Sequence, residues 1–333
     1  MNNKRTEIPI FFAVDNGYAP YLGVAIKSLL TNASKDYDYK IIIIHHKLSR
    51  ANIDKFKAME TANSSIEFAD MTGKLDKVID DITANRLRPD IFTLTIYFRI
   101  FIPRMFPQYD KGLYLDCDIV VPGDISKLYE EELGDNVIGG CQDSSTIDIE
   151  EFASYFEKAA GVDRHEYINS GILLMNLKKL RELRMGVKFI DLLTKYQFDS
   201  VCPDQDYINA MCCGMIKHIN PRYNVMPVIG KPETDDICLI HYNLFLKPWL
   251  YDDIPYEKYF WEYAKQTEFY NDLLDIKSHY GKEQKDADAA NLQLMKERAI
   301  KIGNSRNTLR VVHEETGQVR LGTKMFAENA YKV

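Results

Sequence analysis

Short apolar runs that alternate with segments of helical spacing constrain this chain more than any other feature. Residues 9–14 (PIFFAV) form one such run and end at Asp15-Asn16-Gly17, after which apolar positions recur every three or four residues from 18 to 30. Residues 40–44 (KIIII) are strongly β-branched, Ser49 caps an expected helix running to residue 58, and residues 65–68 read as a third strand. Strands separated by helices have to cross back over the sheet, so the expected fold is α/β, a mainly parallel sheet with helices covering its faces. In such sheets ligands bind where loops leave the carboxyl ends of the strands. A length of 333 residues suits one large α/β domain with appendages or two ordinary domains.

Further along, residues 93–106 (TLTIYFRIFIPRMF) are apolar almost all round and predict a buried helix. Arg99 is the anomaly in it. An always-charged guanidinium is seldom buried without an anion, so Arg99 should meet a carboxylate or a phosphate. Residues 124–133 predict a short helix and 137–141 (VIGGC) a strand, while 168–180 (INSGILLMNLKKL) predict a strand running into a helix that continues toward Tyr196. Residues 203–206 (PDQD) open a helix through about Cys212, with proline at its start and acids in its first turn. Residues 238–242 (CLIHY) read as a last strand. The aromatic-rich stretch 256–276 predicts a helix packed on the main domain. Beyond it, 281–298 is a polar, solvated helix and 308–321 (TLRVVHEETGQVRL) reads as a hairpin turning at Thr316-Gly317.

Bulk properties narrow the function classes. With a net charge of −7 the chain does not suit a nucleic-acid partner, which is held by clustered Lys and Arg. Neither a membrane-spanning run nor an apolar signal region at the N-terminus is evident, so the cytoplasm is the expected location. Six cysteines without CxxC spacing read as buried free thiols. The tail from residue 291 is modestly basic, which fits a solvated appendage or, at most, peripheral contact with the anionic inner face of a membrane.

The stretch 111–121 (KGLYLDCDIVV) raises the sharpest chemical question, because Asp116 and Asp118 interrupt a buried strand. Burying two carboxylates is costly without a cation or donors. Residues two apart on an extended segment point to the same side, so both can converge on one ligand, and their oxygens suit a hard divalent cation such as Mn²⁺ or Mg²⁺ that also takes phosphate oxygens. A strand-end turn whose aspartates accept backbone N–H bonds is the alternative on pattern alone. Three other Asp-x-Asp pairs occur in this chain, at 36/38, 204/206 and 286/288, so context has to discriminate.

Taken in order, FFAVDNGY with YLGVAIKSLL, IYFRI, LYLDCDIVV, INSGILLMNLKKL, PDQDYIN and HYNLFLKPW form an ordered set over roughly residues 8–250. In that set the chain resembles the retaining nucleotide-sugar glycosyltransferases of family 8, which include lipooligosaccharide galactosyltransferases, glucosyltransferases and glycogenin. The resemblance implies a GT-A fold, a single Rossmann-like nucleotide-sugar-binding domain over residues 1–250; the residues beyond it predict an aromatic-rich helix over 251–280 and a C-terminal helical extension over 281–333, a helix plus a possible hairpin. It implies a UDP-sugar donor, a saccharide, glycolipid or glycoprotein acceptor, transfer of galactose or glucose, and a role in lipopolysaccharide biosynthesis. Asp116, Asp118 and His241 correspond to the metal ligands for Mn²⁺, with Mg²⁺ as the alternative, and Cys117 lies between the two aspartates. Ala13, Asp15 and Tyr18 correspond to nucleoside contacts, Lys247 to a phosphate contact, and Arg99 to a group that meets the acidic pair and the donor. Asn169 and Asp204 correspond to sugar-hydroxyl contacts, with Gln205 beside the reacting carbon. Two departures stand out: Asn243-Leu244-Phe245 replaces a glycine-bearing phosphate loop, and Gly17 stands where a side chain often contacts the nucleoside.

Such a transfer breaks an anomeric C–O bond while charge builds on the β-phosphate, which the metal and Lys247 would stabilise. Retention invites a carboxylate nucleophile, yet Gln205 is a poor one, so same-face attack and a covalent intermediate on Asp204 or another acid both stay open. The rival reading from another class is a nucleotide-sugar-binding protein of the same fold with weak or absent catalysis. Assembly into a homo-oligomer is left open.

Overall fold

A computed structural model describes residues 5–72 and 94–323. Its strands are β1 (Thr6–Val14), β2 (Tyr37–His45), β3 (Ser64–Asp70), β4 (Gly112–Leu115), β5 (Ile119–Val120), β6 (Ile138–Gly140), β7 (Ile172–Met175), β8 (Ile216–His218) and β9 (Ile240–His241). The chain divides into two compact units: Met1–Asp70, Gly112–Glu132 and Ile219–Ala289 make the first, Met71–Lys111, Leu133–His218 and Ala290–Val333 the second. The fold is the expected mainly parallel sheet flanked by helices.

In the first unit the strand order is β3-β2-β1-β4, every pair parallel, with Ile10 opposite both Ile41 and Leu113. The β-branched run of β2 is buried from Ile41 to Ile44, as a strand covered on both faces requires. Ser49 caps the helix Arg50–Lys57, its side chain accepting from the Asn52 N–H. Outside this sheet, β5 pairs antiparallel with β9, placing Ile119 opposite His241. Both edges of β9 are used: the Tyr242 N–H donates to the Asp118 carbonyl at 2.9 Å and the His241 N–H to the Val225 carbonyl at 2.9 Å. The aromatic-rich stretch forms two helices, Glu257–Ala264 and Tyr270–Ser278, rather than one. Phe260, Tyr263 and Leu273 from them join Tyr21, Val24, Tyr242 and Trp249 in one core.

In the second unit β6 is antiparallel to β7 and parallel to β8. The expected long helix toward Tyr196 is broken: Leu177–Glu182 and Met185–Tyr196 are separated at Arg184, whose φ of 56° no α-helix accommodates. The run containing Arg99 begins as a 3-10 turn, Leu94–Tyr97, and continues as the helix Phe98–Met105; Thr93 lies outside the described residues. The expected hairpin at 308–321 is absent. Residues Leu309–Thr316 form a helix, capped by the Thr308 side chain, with Leu309 and Val312 buried three apart on one face. The Thr-Gly pair that reads as a hairpin turn is that helix's end, where Gly317 at φ 67° supplies the left-handed residue a C-terminal cap needs. It follows the helix Lys282–Gly303.

Leu244, in the loop after β9, also sits in the left-handed region at φ 54°. The backbone there adopts a conformation that glycine takes without cost and a leucine does not. Moving the side-chain branch to Cβ at constant volume isolates that strain. Leu244→Ile should therefore lower stability by about 1–2 kcal/mol, because a β-branched residue is least tolerant of positive φ; an unchanged urea midpoint would count against this backbone.

Candidate functional site

Asp116 and Asp118 stand on the segment that joins β4 to β5, and the period of two aims both to one side while Cys117 points to the other. The Cys117 thiol donates to the Ala13 carbonyl at 3.1 Å, tying this segment to the end of β1. The antiparallel pairing of β5 with β9 then delivers His241, whose Nε2 lies 3.2 Å from Asp118 Oδ1 and 3.8 Å from Asp116 Oδ2. Asn224 Oδ1 faces His241 Nδ1 at 3.1 Å; in the tautomer that carries its proton on Nδ1 the ring donates to Asn224 and turns the Nε2 lone pair toward the two carboxylates. Three electron-rich atoms then converge, a repulsive arrangement unless a proton or a cation lies between them. One ligand atom from each residue lies within 4.8 Å of the others, and the donor set of two carboxylates and one imidazole fits a divalent cation. The Tyr114 hydroxyl donates to Asp116 Oδ1 at 2.8 Å and orients that carboxylate from behind.

Lys247 completes the cluster. Its ammonium donates to Asp118 Oδ2 and to the Tyr242 carbonyl, and the residue is only 7% exposed. Burial alone would push the Asp118 pKa up, but the Lys247 ammonium, joined by His241 when its ring is protonated and donates through Nε2, outweighs it and holds the carboxyl well below its ordinary range.

At the carboxyl end of β1, Asp15 Oδ1 accepts the Tyr18 N–H at 3.0 Å and so closes the turn that leads into the helix Ala19–Thr31. Tyr18 is exposed, with its ring edge-on to Tyr21, which in turn stacks on Trp249. An exposed aromatic face beside an acceptor is what a flat heterocycle would need. Asn16, which sequence reasoning passed over, clamps the neighbouring loop by donating to the Lys47 carbonyl and accepting from the Ser49 N–H, both at 2.7 Å.

The second unit gathers the remaining predicted residues at the start of the helix Pro203–Cys212 and the segment before β7. Arg99, 5% exposed, pairs with the Asp204 carboxylate, with Nε to Oδ2 at 3.2 Å. Its Nη1 also donates to the Ser170 carbonyl at 2.8 Å and hydroxyl at 3.1 Å. The Ser170 hydroxyl donates to Asp204 Oδ2 at 2.9 Å. The Gln205 carboxamide is held at both ends: Oε1 accepts the Ser170 N–H at 2.9 Å and Nε2 donates to Asp143 Oδ2 at 2.9 Å. Asn169 Nδ2 shares that Asp143 oxygen at 3.3 Å.

Asp143, Ser170 and Asn224 are the members of these clusters that sequence reasoning did not single out. Asp143 carried a usable signal, a carboxylate just beyond a short apolar strand, the same pattern as Asp116 after β4. Ser170 and Asn224 carried none, because a serine and an asparagine in loops are ordinary.

Comparison with known proteins gives the family of the chain. A model of the family described as Glycosyl transferase family 8 matches residues 9–253. A Haemophilus influenzae protein named as a putative glycosyltransferase is 29% identical over 218 residues, 66% of this chain and 63% of that protein. The lipopolysaccharide 1,2-glucosyltransferase of Escherichia coli is 26% identical over 265 residues, 74% of each chain. Among solved structures, the galactosyltransferase LgtC in complex with donor and acceptor sugar analogues superposes with a TM-score of 0.66 at 28% identity, covering 78% of this chain and 96% of that one. On the extent of the family match and the fold it shares with these enzymes, this chain belongs to glycosyl transferase family 8.

Proposed function

We propose that the chain is a metal-dependent, retaining hexosyltransferase that moves galactose or glucose from a UDP-sugar to a saccharide-type acceptor. The observation that carries this reading is the convergence of Asp116, Asp118 and His241 with the buried ammonium of Lys247. Two acids alone would be an ordinary strand-end feature. Adding a buried imidazole and a lysine makes a centre suited to a cation and a diphosphate.

A divalent ion held there, Mn²⁺ or Mg²⁺, would act as a Lewis acid toward the diphosphate leaving group. Lys247 contributes a point charge that neutralises the same group, and its partners Asp118 and the Tyr242 carbonyl hold it in place. Asp15 and Tyr18 receive the nucleoside beside Ala13, and the hydrogen bond between Asp15 and the Tyr18 N–H fixes their spacing. In the second unit, Asp204 and Asn169 accept and donate to sugar hydroxyls, and the neutral Gln205 carboxamide stands beside the reacting carbon with Ser170 and Asp143 fixing its orientation. Asp204 already accepts from Arg99 and Ser170 through Oδ2, which lowers its value as a nucleophile. Same-face attack is the route these residues favour: the acceptor oxygen bonds to the anomeric carbon as the C–O bond to phosphate breaks, and the departing phosphate oxygen takes the acceptor proton. The E. coli relative's name and the sugar analogues in the LgtC complex support a saccharide acceptor, and a glycolipid of the lipopolysaccharide type is the proposed form. No described helix is long and apolar enough to cross a membrane, so contact with such an acceptor is proposed as peripheral, from the cytoplasmic side.

The decisive assay incubates the purified chain with Mn²⁺ and a panel of UDP-sugars and measures UDP release with and without a sugar acceptor. A transferase slowly hydrolyses its donor and speeds up with acceptor. A protein stabilised thermally by a UDP-sugar that never releases UDP is a binder, and that result would sink this reading.

Asp118→Asn should bind Mn²⁺ at least tenfold more weakly by calorimetry and lose transfer by about 10³-fold, with its circular dichroism unchanged. Full turnover in chelator-treated buffer would remove the metal from the account. Lys247→Met keeps the stem and deletes the charge, so UDP affinity should fall about 10- to 100-fold, the equivalent of about 1.5–3 kcal/mol for a charged hydrogen bond. Mn²⁺ affinity in that variant should hold or rise, since Asp118 loses its competing ammonium; a parallel fall in both would mean that Lys247 only supports the fold.

A further inference from the structure

The helix Pro203–Cys212 carries three polar side chains in a row, Asp204, Gln205 and Asp206, and only the first two belong to the clusters above. Asp206 is the deepest, at 1% exposure. Its carboxylate takes four donors. Tyr167 donates to Oδ1 at 2.5 Å; Tyr155 donates to Oδ2 at 2.6 Å, the Cys202 N–H to Oδ2 at 3.1 Å, and the Ser200 hydroxyl to Oδ2 as well. The donors come from three stretches of chain. Tyr155 also accepts the Val201 N–H at 3.0 Å, and Tyr167 stacks on Phe156 with ring centroids 3.8 Å apart. The phenols are therefore themselves held, and they in turn hold the carboxylate.

Cys202 is tied from both sides, its N–H to the Asp206 carboxylate and its carbonyl to the Asp206 N–H at 2.8 Å. Asp206 thus closes the first turn of the helix around the three residues between, Pro203, Asp204 and Gln205. One turn further, Asn209, fully buried, accepts the Ile168 N–H at 2.8 Å and donates to the Ile168 carbonyl at 2.8 Å. It reads the backbone of Ile168 as a neighbouring strand would, and so sets Asn169 and Ser170 in register with Gln205. At 3.6 residues per turn, Asp206 points about 200° away from Asp204 around the helix.

We propose that Asp206 is a positioning residue: a buried anchor, clasped by Tyr155, Tyr167 and Ser200, that holds the helix start so that the Gln205 carboxamide and the Asp204 carboxylate keep their places, and not an acid that bonds to the sugar. The proposal rests on the reading that these two residues face the donor sugar. A nucleophile needs an accessible oxygen with a free lone pair, and a sealed carboxylate that accepts four hydrogen bonds has lost most of both.

Tyr155→Phe and Tyr167→Phe discriminate, because each removes a donor and leaves the Asp206 carboxylate chemically intact. If Asp206 positions the helix, each variant lowers kcat about tenfold and the pair about 100-fold, while the KM for the UDP-sugar stays within twofold and the thermal midpoint stays well above the assay temperature. If Asp206 is the attacking group, the less encumbered carboxylate leaves kcat unchanged or raises it. Asp206→Ala with added azide supplies the second arm: formation of a glycosyl azide would identify a missing nucleophile and overturn the proposal. A third measurement does not need turnover. The Gln205 side-chain amide protons, followed by NMR in selectively labelled protein, should exchange with water slowly in the natural chain and at least tenfold faster in the double variant; equal protection in both would also overturn it. A natural chain that transfers no sugar but shows this protection and its loss would end the transferase reading and leave the anchor standing.

Discussion

Buried negative charge is the constraint on which the first cluster depends. Asp116 and Asp118 lie between apolar strands, where the idealised cost of moving one carboxylate out of water is of the order of 20 kcal/mol before any compensation. The chain meets that cost with the Lys247 ammonium, the His241 imidazole and the Tyr114 hydroxyl. None of these is near in sequence except Tyr114. Their delivery requires the short β5–β9 pair, and the position of Lys247 is in turn set by the packing of Trp249 against Tyr21 and Phe260. A two-residue ladder and an aromatic stack, minor as secondary structure, therefore decide whether the acids form a centre or a liability.

The second cluster solves a different problem. It is dense in hydrogen bonds rather than in net charge: one arginine and one aspartate pair off, and around them a serine, an asparagine, a glutamine and a further aspartate satisfy each other. A polar group left unpaired in such surroundings costs about 1–3 kcal/mol, so a fully partnered network is rigid, and a rigid network specifies geometry. Rigidity of that kind suits the discrimination of sugar hydroxyls.

Much of this was legible beforehand where the signal was local. The alternation of strands and helices, the Ser49 cap and the buried character of the run around Arg99 all follow from periodicity and residue type, and the structure has them. Local signals also misled. Thr316-Gly317 reads equally as a hairpin turn or a helix end, since both want a left-handed glycine, and the burial of Leu309 and Val312 on one helical face decided between them. The break at Arg184 was poorly marked, because the left-handed residue is an arginine and the nearby Gly186 lies inside the following helix. Arg99 was rightly expected to need an anion, but which one depends on where the helix Pro203–Cys212 lies.

By itself the sequence determined the α/β alternation, the placing of two acids at the end of a buried strand and the kinds of residue able to answer them. Only the tertiary structure decided the pairings: Asp118 with a lysine 129 positions away, Gln205 with an aspartate 62 positions earlier, and Asn224 with the His241 imidazole. The physical reason is range. Backbone preference and hydrophobic period act over a few residues and are written locally, whereas a charge or a donor buried in low dielectric is satisfied by whatever the folded chain brings within about 3 Å of it.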